Sequence, residues 1–162
     1  MYKFTIYTDG ASRGNPGPGG FSAIIITDNK VKEIGGREGE TTNNRMEMKA
    51  AIEGLKKLPP NSEVKIHTDS EYLLKGMTKW IFGWQKNKWK TKDKRAVLNQ
   101  DLWEALLEQV AKINKKRKVG WQKVESHSGH ELNDRADKIA TGFADGKEVK
   151  LYNGPYDKYF FK

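Results

Sequence analysis

Four acidic residues stand where acids are awkward. Asp9 follows the alternating run Tyr2–Thr8 and precedes Gly10, and Asp69 closes Val64-Lys65-Ile66-His67-Thr68 in the same way. Carboxylates at the C-terminal ends of neighbouring strands converge on one rim of a sheet, where α/β proteins commonly place their sites. Glu47 has Ala50, Ala51 and Gly54 at i+3, i+4 and i+7, so its helix can approach a sheet closely. Asp137 lies one helical turn after Asn133. Each acid has an ordinary alternative: Asp69-Ser70 can cap a helix, and Glu47 can complement a helix dipole. The set is different, because like charges gathered at one rim repel and need a cation. Carboxylates without thiol or imidazole neighbours suit the hard ions Mg2+ or Mn2+. Two such ions about 4 Å apart serve in-line phosphodiester hydrolysis, one activating water and the other stabilising the leaving oxygen.

The elements that must carry these acids are legible from periodicity. Residues 2–8 alternate as a strand, and the Gly/Pro cluster 14–20 reads as a turn. Phe21–Thr27 and Val31–Gly39 follow as strands around the turn Asp28-Asn29-Lys30, which makes a three-stranded meander. Thr42-Asn43-Asn44 offers N-cap chemistry for a helix over 45–58 that ends at Pro59-Pro60 and turns Met48, Ile52, Leu55 and Leu58 inward. Glu63–His67 reads as a buried strand, with helical segments over 70–76 and from about Trp80. A helix over 99–113 buries Leu102, Leu106 and Val110, then come a strand over 119–124 and a helix over 131–143. The order β-β-β-α-β-α-α-α-β-α predicts an α/β fold with a sheet of mixed sense, three antiparallel strands plus two parallel ones, flanked by helices. Beyond Ala144 the pattern gives way to a polar tail, residues 145–162, rich in aromatics.

The chain has 162 residues, enough for one domain with a real core. No cysteine is present, which excludes disulfides and thiolate-bound zinc and suits a cytoplasmic protein. No apolar run reaches the roughly 18 residues of a membrane span. Thirty Lys and Arg against 21 Asp and Glu leave a net charge of +9, which favours a polyanionic partner. The excess is concentrated in residues 75–95, where Lys75, Lys79, Lys86, Lys88, Lys90, Lys92, Lys94 and Arg95 face only Asp93. Trp80, Trp84 and Trp89 interleave with them. A charge run is usually a solvated face, and Trp80 with Trp84 at i,i+4 can be core packing. Lysines that neutralise phosphates beside indoles that lie on sugars or bases suit a nucleic-acid surface equally.

The motifs Tyr7-Thr8-Asp9-Gly10-Ala11-Ser12 with Gly14-Asn15-Pro16-Gly17, Thr42-Asn43-Asn44-Arg45-Met46-Glu47, Thr68-Asp69-Ser70, and His127-Ser128-Gly129-His130 before Asn133-Asp134-Arg135-Ala136-Asp137 resemble, in order and spacing, those of bacterial type-1 ribonuclease H. The resemblance spans residues 1–144 and implies the ribonuclease H-like fold, a five-stranded mixed sheet. The tail, residues 145–162, lies beyond the motifs; packing on the domain is its plain reading, and a partner or nucleic-acid contact is the alternative. The resemblance also implies an endonuclease that hydrolyses the RNA strand of RNA–DNA hybrids and leaves 5′-phosphate and 3′-hydroxyl ends. Two Mg2+ ions per site, replaceable by Mn2+, would be held by Asp9, Glu47, Asp69 and Asp137, with Asp134 a competitor for the fourth place. His127 would shuttle protons near neutral pH; His67 and His130 read as structural. Asn15, Asn43 and Asn44 would contact the duplex through minor-groove edges and 2′-hydroxyls, and Thr42 a DNA phosphate. Trp80, Trp84, Lys86 and Lys88 would belong to the segment that grips the DNA strand, Trp84 partly structural. With the first strand starting at Tyr2, no separate hybrid-binding domain is expected. A monomer without known protein partners is expected.

Two rival readings share these features: a catalytically weak hybrid-binding module, and a DNA-acting nuclease of the same fold. One departure stands out. The family often has Gln after Asp69-Ser70, whereas this chain has Glu71, which cannot donate to a base edge and would repel phosphate.

Overall fold

The computed structural model describes residues 2–113, 119–124 and 131–159. Three strands open the chain: β1 (Tyr2–Ser12), β2 (Gly17–Ile26) and β3 (Lys30–Thr41). Helix α1 (Asn43–Lys56) and strand β4 (Ser62–Thr68) follow, then α2 (Glu71–Lys75), a π-helical turn (Gly76–Trp80) and α3 (Ile81–Lys86). Next come α4 (Gln100–Ile113), β5 (Val119–Lys123), α5 (Glu131–Ala144) and a short β6 (Asn153–Pro155). The strands form one mixed sheet in the order β5-β4-β1-β2-β3-β6. β4 runs parallel to both β1 and β5, and the other pairs are antiparallel.

Alternation along β2 explains the layering. Ala23 and Ile25 pack with Met48, Ala51, Leu55, Trp103 and Leu106 on the face covered by α1 and α4. Ile24 packs with Ala136 and Ile139 of α5 on the other face. With helices on both sides, β2 carries an almost unbroken buried run, as central strands do. The helix faces expected from periodicity are buried at Met48, Ile52 and Leu55 on α1, at Leu58 just beyond its end, and at Leu106 and Val110 on α4, whereas Leu102 is only half-buried. Trp103, the largest fully buried side chain of α4, was absent from that expectation. Arg45 forks onto Asp101 at 3.0 and 2.7 Å and ties the start of α1 to α4.

Three expectations need correction. The sheet has six strands, not five, because Val31 pairs with Gly154 and so brings the tail onto the β3 edge. Three residues ending in Pro have no periodicity to read, and the open edge of β3 is what selects them. The first strand does not end at Asp9 but continues to Ser12, and β2 begins at Gly17, inside the glycine cluster read as a turn. The glycines serve close packing as well as turning: a Cβ on Gly20 would lie 2.2 Å from the carbonyl oxygen of Ala140, so α5 sits directly on the backbone of β2. The first long helix starts at Asn43, with Thr42 as its N-cap accepting from the Arg45 N–H at 3.2 Å.

The tail is fastened through Glu33, whose side chain is fully buried. Its carboxylate accepts from Arg135 at 2.8 and 2.9 Å, from the Tyr152 N–H at 2.8 Å and from the Tyr159 hydroxyl at 2.5 Å. Burial alone would push this carboxyl up, but the bonds from Arg135, Tyr159 and Tyr152 outweigh it and hold it below the usual range. Glu33→Gln should therefore lower stability by about 2 kcal/mol at pH 7 in urea unfolding. A depressed carboxyl stabilises above its unfolded pKa and loses that contribution as pH falls through its folded value, so the gap should close in acid.

Candidate active site

The acids meet because neighbouring strands stop at different heights. The parallel pairing of β1 with β4 ends at Tyr7–His67, while β1 runs on beside β2, where Asp9 pairs with Ser22. Asp69 emerges just after Thr68, the last residue of β4. Helix α1 crosses above and delivers Glu47, its small residues Ala50, Ala51 and Gly54 letting it lie against the sheet. One carboxylate oxygen from each of Asp9, Glu47 and Asp69 lies within 4.8 Å of the others. Asp9 and Glu47 are buried and Asp69 is half-buried.

The Gly10 N–H is the hinge of the cluster. It donates to Asp9 Oδ1 at 2.8 Å and to Glu47 Oε1 at 2.9 Å. This bridge is not legible in the sequence, where its one signal is a glycine directly after a strand acid. The ordinary alternatives also resolve. Ser70, not Asp69, caps α2 by accepting from the Leu73 N–H at 3.1 Å, and Thr42 caps α1. Both caps leave the carboxylates of Asp69 and Glu47 to the cluster.

Asp137 stands apart from the tight trio. It is exposed on α5, yet its charge reaches both Asp9 and Asp69 and raises their pKa values. Asp134, one turn earlier, is exposed and lines a cleft with Glu33, Arg135, Tyr152 and Tyr159, on the tail side of the helix. His127 lies outside the described residues. His67 is stacked on Tyr7 with ring centroids 4.4 Å apart.

Burial raises the pKa of all three clustered acids, and their mutual repulsion adds to it. Asp9 is pushed up to about 7 by burial and by the charges of Asp69 and Asp137, against the Glu47 and Gly10 hydrogen bonds. Glu47 rises well above its ordinary value through burial and the facing Asp9. Asp69 rises through burial and Asp137, while Lys123 pulls the other way.

The expected substrate-contacting residues fall in two groups. Asn15, Asn43 and Asn44 are exposed and Thr42 is half-buried. Asn43 Oδ1 accepts from the Ser12 N–H at 2.6 Å, which joins the start of α1 to the end of β1 beside the acids. The second group is the basic segment. Lys75, Lys79, Lys86, Lys88, Lys90, Lys92, Lys94 and Arg95 are all exposed. Residues 87–97 fold back on themselves through the Trp89–Trp84 and Val97–Trp89 backbone bonds. Trp84 is half-buried against Trp103 at 5.4 Å, with Trp80 and Trp89 at 5.8 and 6.3 Å, so its indole joins the basic segment to the core. Trp80 is 39% exposed at the end of this aromatic row.

The RNase H family model matches residues 1–144. The chain belongs to the RNase H family. It is 51% identical over 144 residues to the ribonuclease H of Novosphingobium aromaticivorans, covering 89% of this chain and 98% of that protein. Among solved structures it resembles LC9-RNase H1, a type 1 RNase H with the type 2 active-site motif, with TM-score 0.83 and 26% identity over 100% of this chain and 82% of the other. LC11-RNase H1, solved in complex with an RNA/DNA hybrid, superposes with TM-score 0.59 and 29% identity over 88% of this chain and 97% of that one. The chain is accordingly an enzyme of the family, a ribonuclease with the RNase H fold. Among the described residues no helix is long and apolar enough to cross a membrane.

RNase H enzymes are metal-dependent, and the donors of this chain fit a divalent cation. Glu47 Oε2 is buried without a hydrogen-bond partner, beside two further carboxylates. An all-oxygen, net-negative set of this kind is stabilised by a proton or by a hard cation. The pH dependence follows. A carboxyl whose folded pKa is raised stabilises below its unfolded value, near 3.8 for Asp9, and loses that contribution as pH rises through the folded value near 7. Metal-free protein thus carries the full repulsion at pH 8 and little of it at pH 5. Saturating Mg2+ should raise the melting temperature more at pH 8 than at pH 5, by on the order of 5 °C, as differential scanning calorimetry can measure.

Proposed function

We propose that this enzyme is an endoribonuclease that cleaves the RNA strand of RNA–DNA hybrids, leaving 5′-phosphate and 3′-hydroxyl ends. The observation that carries the reading is the convergence of Asp9, Glu47 and Asp69 on one point of the sheet rim, two of them buried. Asp9, Glu47, Asp69 and Asp137 would hold two Mg2+ ions, or Mn2+ in their place. Bound there, the pair supplies the positive charge for in-line attack of water on a phosphodiester. Asp137 is preferred to Asp134 as the fourth acid because its charge bears on Asp9 and Asp69, whereas Asp134 faces the tail. His127 would carry protons to or from the reacting water and the leaving group.

The chain's own surface would hold the substrate. Lys86 and Lys88 neutralise DNA phosphates without reading sequence, and Trp80 lies against a sugar or base. Trp84 works mainly by anchoring that segment to Trp103. Asn15, Asn43 and Asn44 meet the duplex beside the acids, where 2′-hydroxyls distinguish RNA from DNA, and Thr42 takes a phosphate. Residues 1–144 act as the catalytic domain, the 145–162 tail is fastened to it through Glu33, and the enzyme works as a cytoplasmic monomer.

A cleavage assay with RNA–DNA, DNA–DNA and RNA–RNA duplexes, with and without Mg2+, tests this reading. Metal-dependent cleavage of the hybrid's RNA strand alone is the expected result. Cleavage of the DNA duplex would favour the DNA-acting alternative, and binding without cleavage the weak hybrid-binding module. In the same assay Asp137→Asn should lower kcat at least a hundredfold and Asp134→Asn less than about tenfold. The reverse order would move the fourth ligand to Asp134.

A further inference from the structure

Glu71 opens α2 directly after Asp69-Ser70, and the structure surrounds it with cations. Its Oε1 lies 2.7 Å from Lys123 Nζ and its Oε2 3.5 Å from Lys75 Nζ. The two lysines offset its charge, so Glu71 does not stand at the rim as an isolated negative group. Lys123 is the last residue of β5, in register with Thr68 of β4, and the Val124 N–H bonds to the Thr68 carbonyl at 2.9 Å. That pairing sets the root of Lys123 level with the residue that precedes Asp69. Its ammonium is close enough to Asp69 to act on that carboxyl. Lys123 is 32% exposed and Glu71 58%, so the pair stands at the open rim and not under it.

We propose that Lys123, oriented by Glu71, is a phosphate-binding residue on the β5 side of the acidic site and contacts the backbone of the nucleic-acid strand that crosses it. The inference rests on the proposed hybrid substrate. The geometry argues for it in two ways. A lysine stem is flexible, and the carboxylate contact at its tip, made from the start of α2, restrains the ammonium at the end of β5, level with the residue before Asp69. The acids at the rim repel an approaching phosphate, and a cation held at their edge offsets that repulsion where the strand must pass. Glu71 is then a positioning residue, acting through Lys123.

The test measures binding of a short RNA–DNA hybrid to metal-free protein as a function of salt, with melting temperature as the control for folding. Lys123→Met keeps the stem and removes the charge. It should weaken binding on the order of three- to tenfold near 0.1 M salt and reduce the slope of log K against log salt by about one phosphate contact. Lys123→Arg should keep the wild-type slope. Glu71→Gln should weaken binding although it deletes a negative charge, and in turnover assays the loss should fall on KM more than on kcat. A wild-type slope in Lys123→Met would overturn the proposal and leave Lys123 a mere countercharge to Asp69. Tighter binding by Glu71→Gln would overturn the positioning role. Failure of the wild-type protein to bind or cleave the hybrid is a separate result, which overturns the underlying reading and this inference with it.

Discussion

An Asp9→Asn protein is expected to lose hybrid cleavage by about a thousandfold or more, roughly 4 kcal/mol of transition-state stabilisation, while still binding the hybrid. Asp9 sits centrally in the trio, buried, bonded to Gly10 and electrostatically tied to Glu47, Asp69 and Asp137. An amide keeps the shape but removes the charge that attracts a cation. The same substitution should stabilise the metal-free protein. At pH 8 the wild type holds neighbouring carboxylates apart from water, and Asn relieves that repulsion by on the order of 2 kcal/mol. Below the ordinary carboxylate range both proteins carry neutral groups there, so the gain should vanish in acid. Activity assays and urea unfolding at pH 5 and pH 8 measure both effects. A stable, inactive variant is the signature of a site that trades stability for function. A fully active Asp9→Asn protein would remove the acidic cluster from the chemistry.

Gly10→Ala should damage both fold and site. A Cβ at this position would lie 2.3 Å from the Glu47 backbone nitrogen and 2.4 Å from the Met46 carbonyl carbon. Both neighbours are backbone, so no side chain can swing aside and α1 must lift from β1. The expected loss is about 3 kcal/mol, at the upper end for overpacking, read as an earlier midpoint in thermal or urea unfolding. Lifting α1 also breaks the bond that holds Glu47 Oε1 at 2.9 Å from Gly10, so kcat should fall at least tenfold in whatever fraction remains folded. Unchanged stability would mean that the helix and strand are less tightly apposed than these distances require.

Much of this architecture is legible from residue order because its signals are local. Met48, Ile52 and Leu55 recur at helical spacing and all point into one core, since periodicity decides which face of α1 can leave water. The strands β1 to β4 announce themselves by β-branched and aromatic runs between turn residues. What escaped was non-local. β6 has three residues and exists only because β3 presents an unpaired edge. Trp84 is legible as partly structural from its i,i+4 spacing to Trp80, but its partner Trp103 arrives from α4, which no local spacing shows.

The same division runs through the site. Sequence alone determined which residues are acidic, that Asp9 and Asp69 follow strands and that Glu47 lies on a helix with a small-residue face, because these depend on neighbours a few positions away. Tertiary structure decided that β1 outruns β4, that a single N–H of Gly10 holds two carboxylates, and that Ser70 takes the cap and leaves Asp69 free for the cluster. It also turned Glu71 from an isolated repulsive charge into the anchor of Lys123. The physical reason is common to all of them. A carboxylate's chemistry depends on the charges, donors and burial within a few ångströms, and here those come from segments as far apart in the chain as Glu71 and Lys123, which only the fold brings together.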